Sequence, residues 1–103
     1  MAKIIVVYWR DIPAQVIVKA GREAAKRQLD ERFEKAIDRA AMRAKLRDTD
    51  SYLAEWRRAA PVDCSDDLES EASLAAEKLD AEYDHDRLDR LVNNGGLEPE
   101  PRN

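Results

Sequence analysis

The chain has 103 residues, enough for one modest hydrophobic core and no more. It is 44% hydrophobic, so folding is expected, and 39% charged, so most of its ionic side chains must lie on exposed helix faces. No run of about 18 apolar residues occurs, which argues against a membrane-spanning helix.

The apolar run over residues 4–9 is too short for the core of a signal peptide, and no small-residue cleavage site follows it. A cytoplasmic setting is therefore expected. Cys64 is the single cysteine, so an internal disulfide is impossible and reducing surroundings suit the chain. Charge is unevenly placed. Residues 1–60 hold 14 Lys/Arg against 9 Asp/Glu, a net +5, while residues 61–103 hold 4 against 13, a net −9. A basic front and an acidic rear can attract each other or present two opposite faces to a partner.

In chain order, Ile4-Ile5-Val6-Val7-Tyr8-Trp9 is β-branched and aromatic and predicts a strand. Arg10-Asp11-Ile12-Pro13 interrupts it, because proline fixes φ and donates no hydrogen bond. Residues 14–19, centred on Val16-Ile17-Val18, form the second strand of an antiparallel hairpin. The first strand is apolar on both faces, which calls for cover on both sides of the sheet. After Gly21 the spacing predicts a long helix over residues 22–47. Leu29, Phe33, Ala36, Ile37, Ala40 and Ala44 make its apolar stripe. Arg32, Lys35, Arg39 and Arg43, continued by Arg47, make a basic track beside that stripe, and Asp30, Glu34 and Asp38 an acidic one.

Asp48-Thr49-Asp50-Ser51 reads as a cap cluster for a short helix over residues 52–59, with Tyr52 and Trp56 on one face and Pro61 ending it. A second long helix is expected from a Ser65 cap. Leu68, Ala72, Ala75, Leu79 and Tyr83 form its apolar line, and Leu88, Leu91 and Val92 a further patch. Asn93-Asn94-Gly95-Gly96 is a stop signal, and residues 97–103 read as a loose tail. The expected architecture is α+β: an N-terminal β-hairpin, a long helix, a short helix and a second long helix in one domain over residues 1–96.

Catalysis is poorly served by these residues. A zinc site usually needs three or four sulfur or imidazole ligands, and only Cys64 and His85 exist. On one helix the 21 residues between them would span roughly 30 Å, too far for a nucleophile–base pair. A cysteine just before a helix could have a lowered pKa, but an unreactive linker cysteine is the simpler expectation. The many carboxylates lie near one another by abundance, and no glycine-rich phosphate loop is present. No enzyme activity, metal or cofactor is expected.

Binding is better served. A lone two-stranded hairpin is marginal in water, and two free apolar edges invite pairing with another chain. Tyr8, Trp9, Arg10, Asp11, Pro13 and Gln15, at and beside the turn, are the expected partner-binding surface, since Trp and Arg commonly anchor interfaces. Arg10 and Asp11 can equally serve as a turn-stabilising pair. The partner is another protein, or a second copy in a homodimer. The basic track of Arg32, Lys35, Arg39 and Arg43 is the alternative surface, for nucleic acid. Its interleaved acids and missing stacking aromatics favour neutralisation by the acidic rear instead.

Three strings carry a family resemblance. They are residues 3–18, with Tyr8-Trp9-Arg10-Asp11-Ile12-Pro13-Ala14-Gln15 their most specific part; residues 32–42; and Asp48-Thr49-Asp50-Ser51-Tyr52-Leu53-Ala54-Glu55-Trp56. Over residues 3–58 the chain resembles the bacterial virulence factor domain, in its stand-alone alphaproteobacterial form. In conserved virulence factor C proteins that domain is joined to HEAT-like repeats and to a domain resembling Nfu-type iron–sulfur scaffolds, parts that this sequence does not contain. The resemblance implies an accessory or interaction protein and carries over no catalytic residue. As an alternative it implies an accessory subunit of a folate- and corrinoid-dependent methyl-transfer system.

Overall fold

A computed structural model describes residues 2–46 and 48–98. Arg47 and the last five residues, including most of the expected tail, lie outside the described residues. The chain order is β1 Ala2–Trp9, β2 Ile12–Ala20, β3 Glu23–Gln28, α1 Glu31–Arg43, α2 Thr49–Ala54, β4 Trp56–Arg58, β5 Val62–Cys64, α3 Leu68–Glu82 and α4 His85–Asn93. The α+β class and the leading antiparallel hairpin are as the sequence predicts.

The hairpin is not alone. It forms the centre of a five-stranded antiparallel sheet. On one side β2 pairs with β3 from Gln15↔Gln28 to Ala20↔Glu23. On the other, β1 carries β4 against its last residues and β5 against its first. The Ala59 amide donates to the Val6 carbonyl between them, at 2.9 Å. Both expected free edges are therefore occupied by the chain itself.

Three expected helices are corrected. Residues 23–28, Glu-Ala-Ala-Lys-Arg-Gln, are strong helix formers, yet they make an edge strand. Gly21 at φ +61° folds them straight back onto β2, and a full ladder with β2 outweighs a propensity worth tenths of a kcal/mol per residue. The first long helix accordingly starts at Glu31, capped by the Asp30 side chain, which accepts from the Arg32 amide. The short helix has its cap where the cluster places it, at Asp48, but stops at Ala54, and Trp56–Arg58 then zips onto β1 as β4. The third helix is two. Asp67, not Ser65, caps α3, while Asp84 accepts from the Arg87 amide at 2.9 Å and starts α4. The break at Tyr83 lets two apolar lines bury in different places. Ala72 and Leu79 face the sheet, and Leu88, Leu91 and Val92 face α1.

Register assigns the sheet's two faces, because side chains alternate along each strand. Ile4 and Val6 share a face with Val16, Val18 and Ala25, and α3 packs over it. Lys3, Ile5 and Val7 share the opposite face with Gln15, Ile17, Lys19 and Lys26. At the turn end Trp9 is sealed at 0% exposure. Its indole N–H donates to the Tyr52 carbonyl at 3.0 Å, and its ring lies against Gly96, which itself sits beside Ala40.

Gly95 and Gly96 close α4 in a Schellman arrangement. The Gly96 amide donates to the Leu91 carbonyl at 2.7 Å and the Gly95 amide to the Val92 carbonyl at 3.0 Å. A Cβ on Gly96 would sit 2.7 Å from Trp9 Cζ3, at a φ of +92°. Gly96→Ala combines left-handed strain of about 1–2 kcal/mol with overpacking of about 1–3 kcal/mol. It should lower the unfolding free energy by about 3 kcal/mol. Gly21→Ala, where the added carbon meets open space, should cost only about 1 kcal/mol, and urea unfolding midpoints read both.

Candidate functional site

The turn of the hairpin is a hub of bonds rather than a bare tip. Arg10 sits at φ +53°, a left-handed conformation that costs a non-glycine residue about 1–2 kcal/mol. Its partners hold it there. The Arg10 amide donates to the Glu55 carbonyl at 3.0 Å. Its Nε donates to Glu55 Oε1 and its Nη1 to the Gly95 carbonyl, both at 2.9 Å. Asp11 ties the same turn to the far end of the chain. Its amide donates to the Gly96 carbonyl at 2.8 Å, and its carboxylate accepts from the Glu98 amide at 2.7 Å and from Arg57 Nη2 at 3.1 Å. The Arg57 guanidinium also lies 4.5 Å over the Tyr8 ring.

The expected surface residues thus separate. Trp9 and Pro13 are enclosed, so neither presents a contact surface, because β4, α2 and the glycine turn fold over the hairpin end. Tyr8, Arg10 and Asp11 are half-buried and committed to Arg57, Glu55, Gly95 and Gly96. Gln15 lies on the sheet face away from α3 and is neither enclosed nor tied into the turn. The reading of Arg10 and Asp11 as a turn-stabilising pair describes what they touch.

That far face is the part of the surface sequence reasoning did not reach. Ile5 and Val7 stand half-buried outside the core cluster that α3 and α1 build, and Ile17 beside them is enclosed at 3% exposure. Around them stand Lys3, Lys19 and Lys26, with Arg58 opposite Val7 and Asp63 opposite Lys3. Lys3 pairs with Asp63. Lys19, Lys26 and Arg58 make no ion pair among the described residues. The alternation of lysines with Ile5 and Ile17 was visible in the sequence, but which face α3 would cover was not.

The basic track is used within the chain. Arg32 pairs with Asp80 at 2.8 Å and donates to the Asp80 and Tyr83 carbonyls. Lys35 pairs with Glu31, Arg39 with Asp89, and Arg43 donates to Asn93 Oδ1.

Groups that ordinarily carry chemistry are set apart. Cys64 lies on β5, not at a helix start, and burial with nearby Glu71, Asp66 and Asp63 pushes its thiol up, away from the reactive thiolate. His85 is exposed at the start of α4. Burial pushes the Tyr83 phenol up to about 12, partly offset by Arg87, whose guanidinium lies 3.9 Å over the ring. Among the described residues no cluster of three or more His, Cys, Asp or Glu side chains could hold a metal ion, and no helix is long and apolar enough to cross a membrane.

A model of the virulence factor family matches residues 7–92. The chain belongs to the virulence factor family. The match begins within β1 and runs through α3 into α4, well past the front half that the sequence strings covered. No curated protein and no solved structure matches the chain. In this family member the Tyr8–Trp9–Arg10–Asp11 signature is the knot joining the hairpin to β4 and to the glycine turn.

Arg10→Ala loses the side-chain bonds and keeps the backbone strain, whereas Arg10→Gly loses the bonds and relieves it. Arg10→Gly should therefore be the more stable of the two by about 1 kcal/mol, measured by urea unfolding. Tyr83 favours the folded state most fully below the ordinary phenol pKa near 10. Its folded pKa is the higher one, so that contribution falls as pH rises from about 10 towards about 12. In a 295 nm titration the highest-pH phenolate step should vanish in Tyr83→Phe.

Proposed function

We propose that this virulence factor family protein is a non-catalytic accessory protein that acts by contact with an acidic protein partner through the sheet face opposite α3. One observation carries the reading: on the side of the sheet away from α3, the half-buried Ile5 and Val7 lie beside the enclosed Ile17 in an aliphatic strip framed by Lys19, Lys26 and Arg58. An antiparallel sheet commonly leaves one face to solvent, but that face is then polar. Here its centre is apolar and its rim is cationic. Two such faces stacked on each other would bring like charges together, so a second copy is the wrong occupant. An anionic segment with an apolar seam fits both the strip and the rim. Nucleic acid fits less well, because the strip is aliphatic and offers bases no stacking ring.

The protein is accordingly an interaction module, with the hairpin supplying a surface rather than an edge. The test is co-purification from the native cell with nuclease present, comparing wild type with Lys19→Glu/Lys26→Glu. Lys35→Glu on α1 serves as a control of equal charge type. The reading expects a protein bound by wild type and by the control, in a salt-sensitive manner, and about tenfold or more weaker binding by the double reversal. Recovery of RNA or DNA in a parallel preparation made without nuclease, or equal capture by the double reversal, would overturn it.

A further inference from the structure

We infer that a recess at the turn end of the sheet binds an alkylammonium ion, a small organic cation with an aliphatic body. The recess has a volume of about 240 Å³ and lies where the end of β3 meets α1, α2 and the start of β4. That is room for a small ligand and no more. Leu29 and Ile37 give it an aliphatic lining, and Tyr52 and Trp56 an aromatic one. The two rings stand 6.2 Å apart, centroid to centroid, with their planes at 81°, so they form a corner rather than a stack. Both are half-buried and keep part of their surface open. A ring face attracts a cation within about 6 Å of its centroid, most strongly where water is excluded.

Charge decides what fits. Among the described residues the charged side chains lining the recess are Glu34 and Asp38, with no lysine, arginine or histidine. Both belong to the acidic track that runs beside the apolar stripe of α1. The third member of that track, Asp30, is occupied: it caps α1 and lies 3.6 Å from Arg32. Glu34 and Asp38 make no ion pair among the described residues. They stand four apart on α1, so two like charges are neighbours on one helix face, a repulsion that a cation between them removes. Their charge reaches the aromatic corner. Burial, then the carboxylates of Asp38 and Glu34, push the Tyr52 phenol up, and the Trp56 side chain offsets part of that rise.

An anion would meet two carboxylates and no counter-charge. A bare metal ion is the wrong occupant, because no third metal-ligating side chain joins the pair among the described residues and Leu29 and Ile37 offer it nothing. An uncharged apolar molecule would gain nothing from either carboxylate. An ammonium group on an aliphatic stem uses the carboxylates, the ring faces and the aliphatic lining together, and the Gln28 side chain adds an amide oxygen as a further acceptor. The same group ends a free aliphatic amine and a lysine side chain. The recess is independent of the proposed sheet-face contact, since Lys19, Lys26 and Arg58 do not line it.

The chain has two tryptophans, so a heteronuclear amide spectrum holds two indole N–H signals. Trp56 lines the recess, whereas the Trp9 indole is enclosed and bonded to the Tyr52 carbonyl. Titrating the full chain with n-butylammonium at constant ionic strength should move the Trp56 signal saturably and the Trp9 signal far less. Dissociation on the order of millimolar is expected for so small a ligand. The uncharged n-butanol, of equal length, should bind at least about tenfold more weakly. Glu34→Gln and Asp38→Asn, both at exposed positions, should each weaken n-butylammonium binding by about threefold, and the double variant by about tenfold, while the urea midpoint is unchanged. Lysine capped as its acetyl and methylamide derivative identifies the source: tighter binding than n-butylammonium assigns the site to a lysine side chain, equal or weaker binding to a free amine, and either supports the site. A Trp56 signal that stays still or never saturates overturns the inference. So does n-butanol binding as tightly as the cation, or a double variant that binds as wild type does.

Discussion

The enclosure of Trp9 is the constraint on which the rest of the structure depends. Its indole N–H has one partner, the Tyr52 carbonyl, and its ring needs the bare backbone of Gly96, which in turn lies beside Ala40. Those three residues come from α2, from the turn after α4 and from α1. A buried tryptophan with an unpaired N–H is costly, so the side chain selects the one arrangement in which all three elements reach it. Arg10 and Asp11, next in sequence, fix the same elements by polar bonds. Arg10 reaches Glu55 and Gly95, and Asp11 reaches Gly96, Arg57 and Glu98. A turn of two residues therefore sets where the middle and the end of the chain lie. The left-handed backbone of Arg10 is tolerated because the partners over-determine it.

The sequence states some of this and hides the rest for physical reasons. The hairpin was legible because β-branched residues and a proline break it up unambiguously. The glycine stop after α4 was legible because only glycine adopts a Schellman turn without strain. The strand β3 was not, since Glu, Ala, Lys, Arg and Gln all prefer a helix. Only the two-residue turn at Gly21, pairing Ala20 with Glu23, overrides them. Strands β4 and β5 are three residues each, too short for any period to register, and exist because β1 offers an edge. The break between α3 and α4 did leave a sign. Asp84 is a good cap residue, and the apolar line shifts phase between Leu79 and Leu88.

The candidate surface was half legible. Trp9 and Arg10 drew attention as residue types that anchor interfaces, yet the same properties, bulk and many donors, make them anchors within a fold. The sequence cannot tell an internal interface from an external one. Gln15 lies on the open face by register alone, one residue from Val16, which is fully enclosed under α3. A one-residue step exchanges the two fates, which is why the face assignment had to wait for the ladder.

Charge asymmetry acquires a spatial meaning once the layers are known. Several cations of the front half meet acids of the rear half: Arg32 with Asp80, Arg39 with Asp89, Arg27 with Glu69, Lys3 with Asp63. These pairs are exposed in whole or part, so each adds at most about 1 kcal/mol, and their main effect is to use up charge. What remains is sorted by side. Unpaired cations gather on the sheet face away from α3, and carboxylates crowd α3 and its flanks. An acidic partner is therefore attracted to the sheet face and repelled from α3, so the sorting of charge by itself orients the contact proposed for that face.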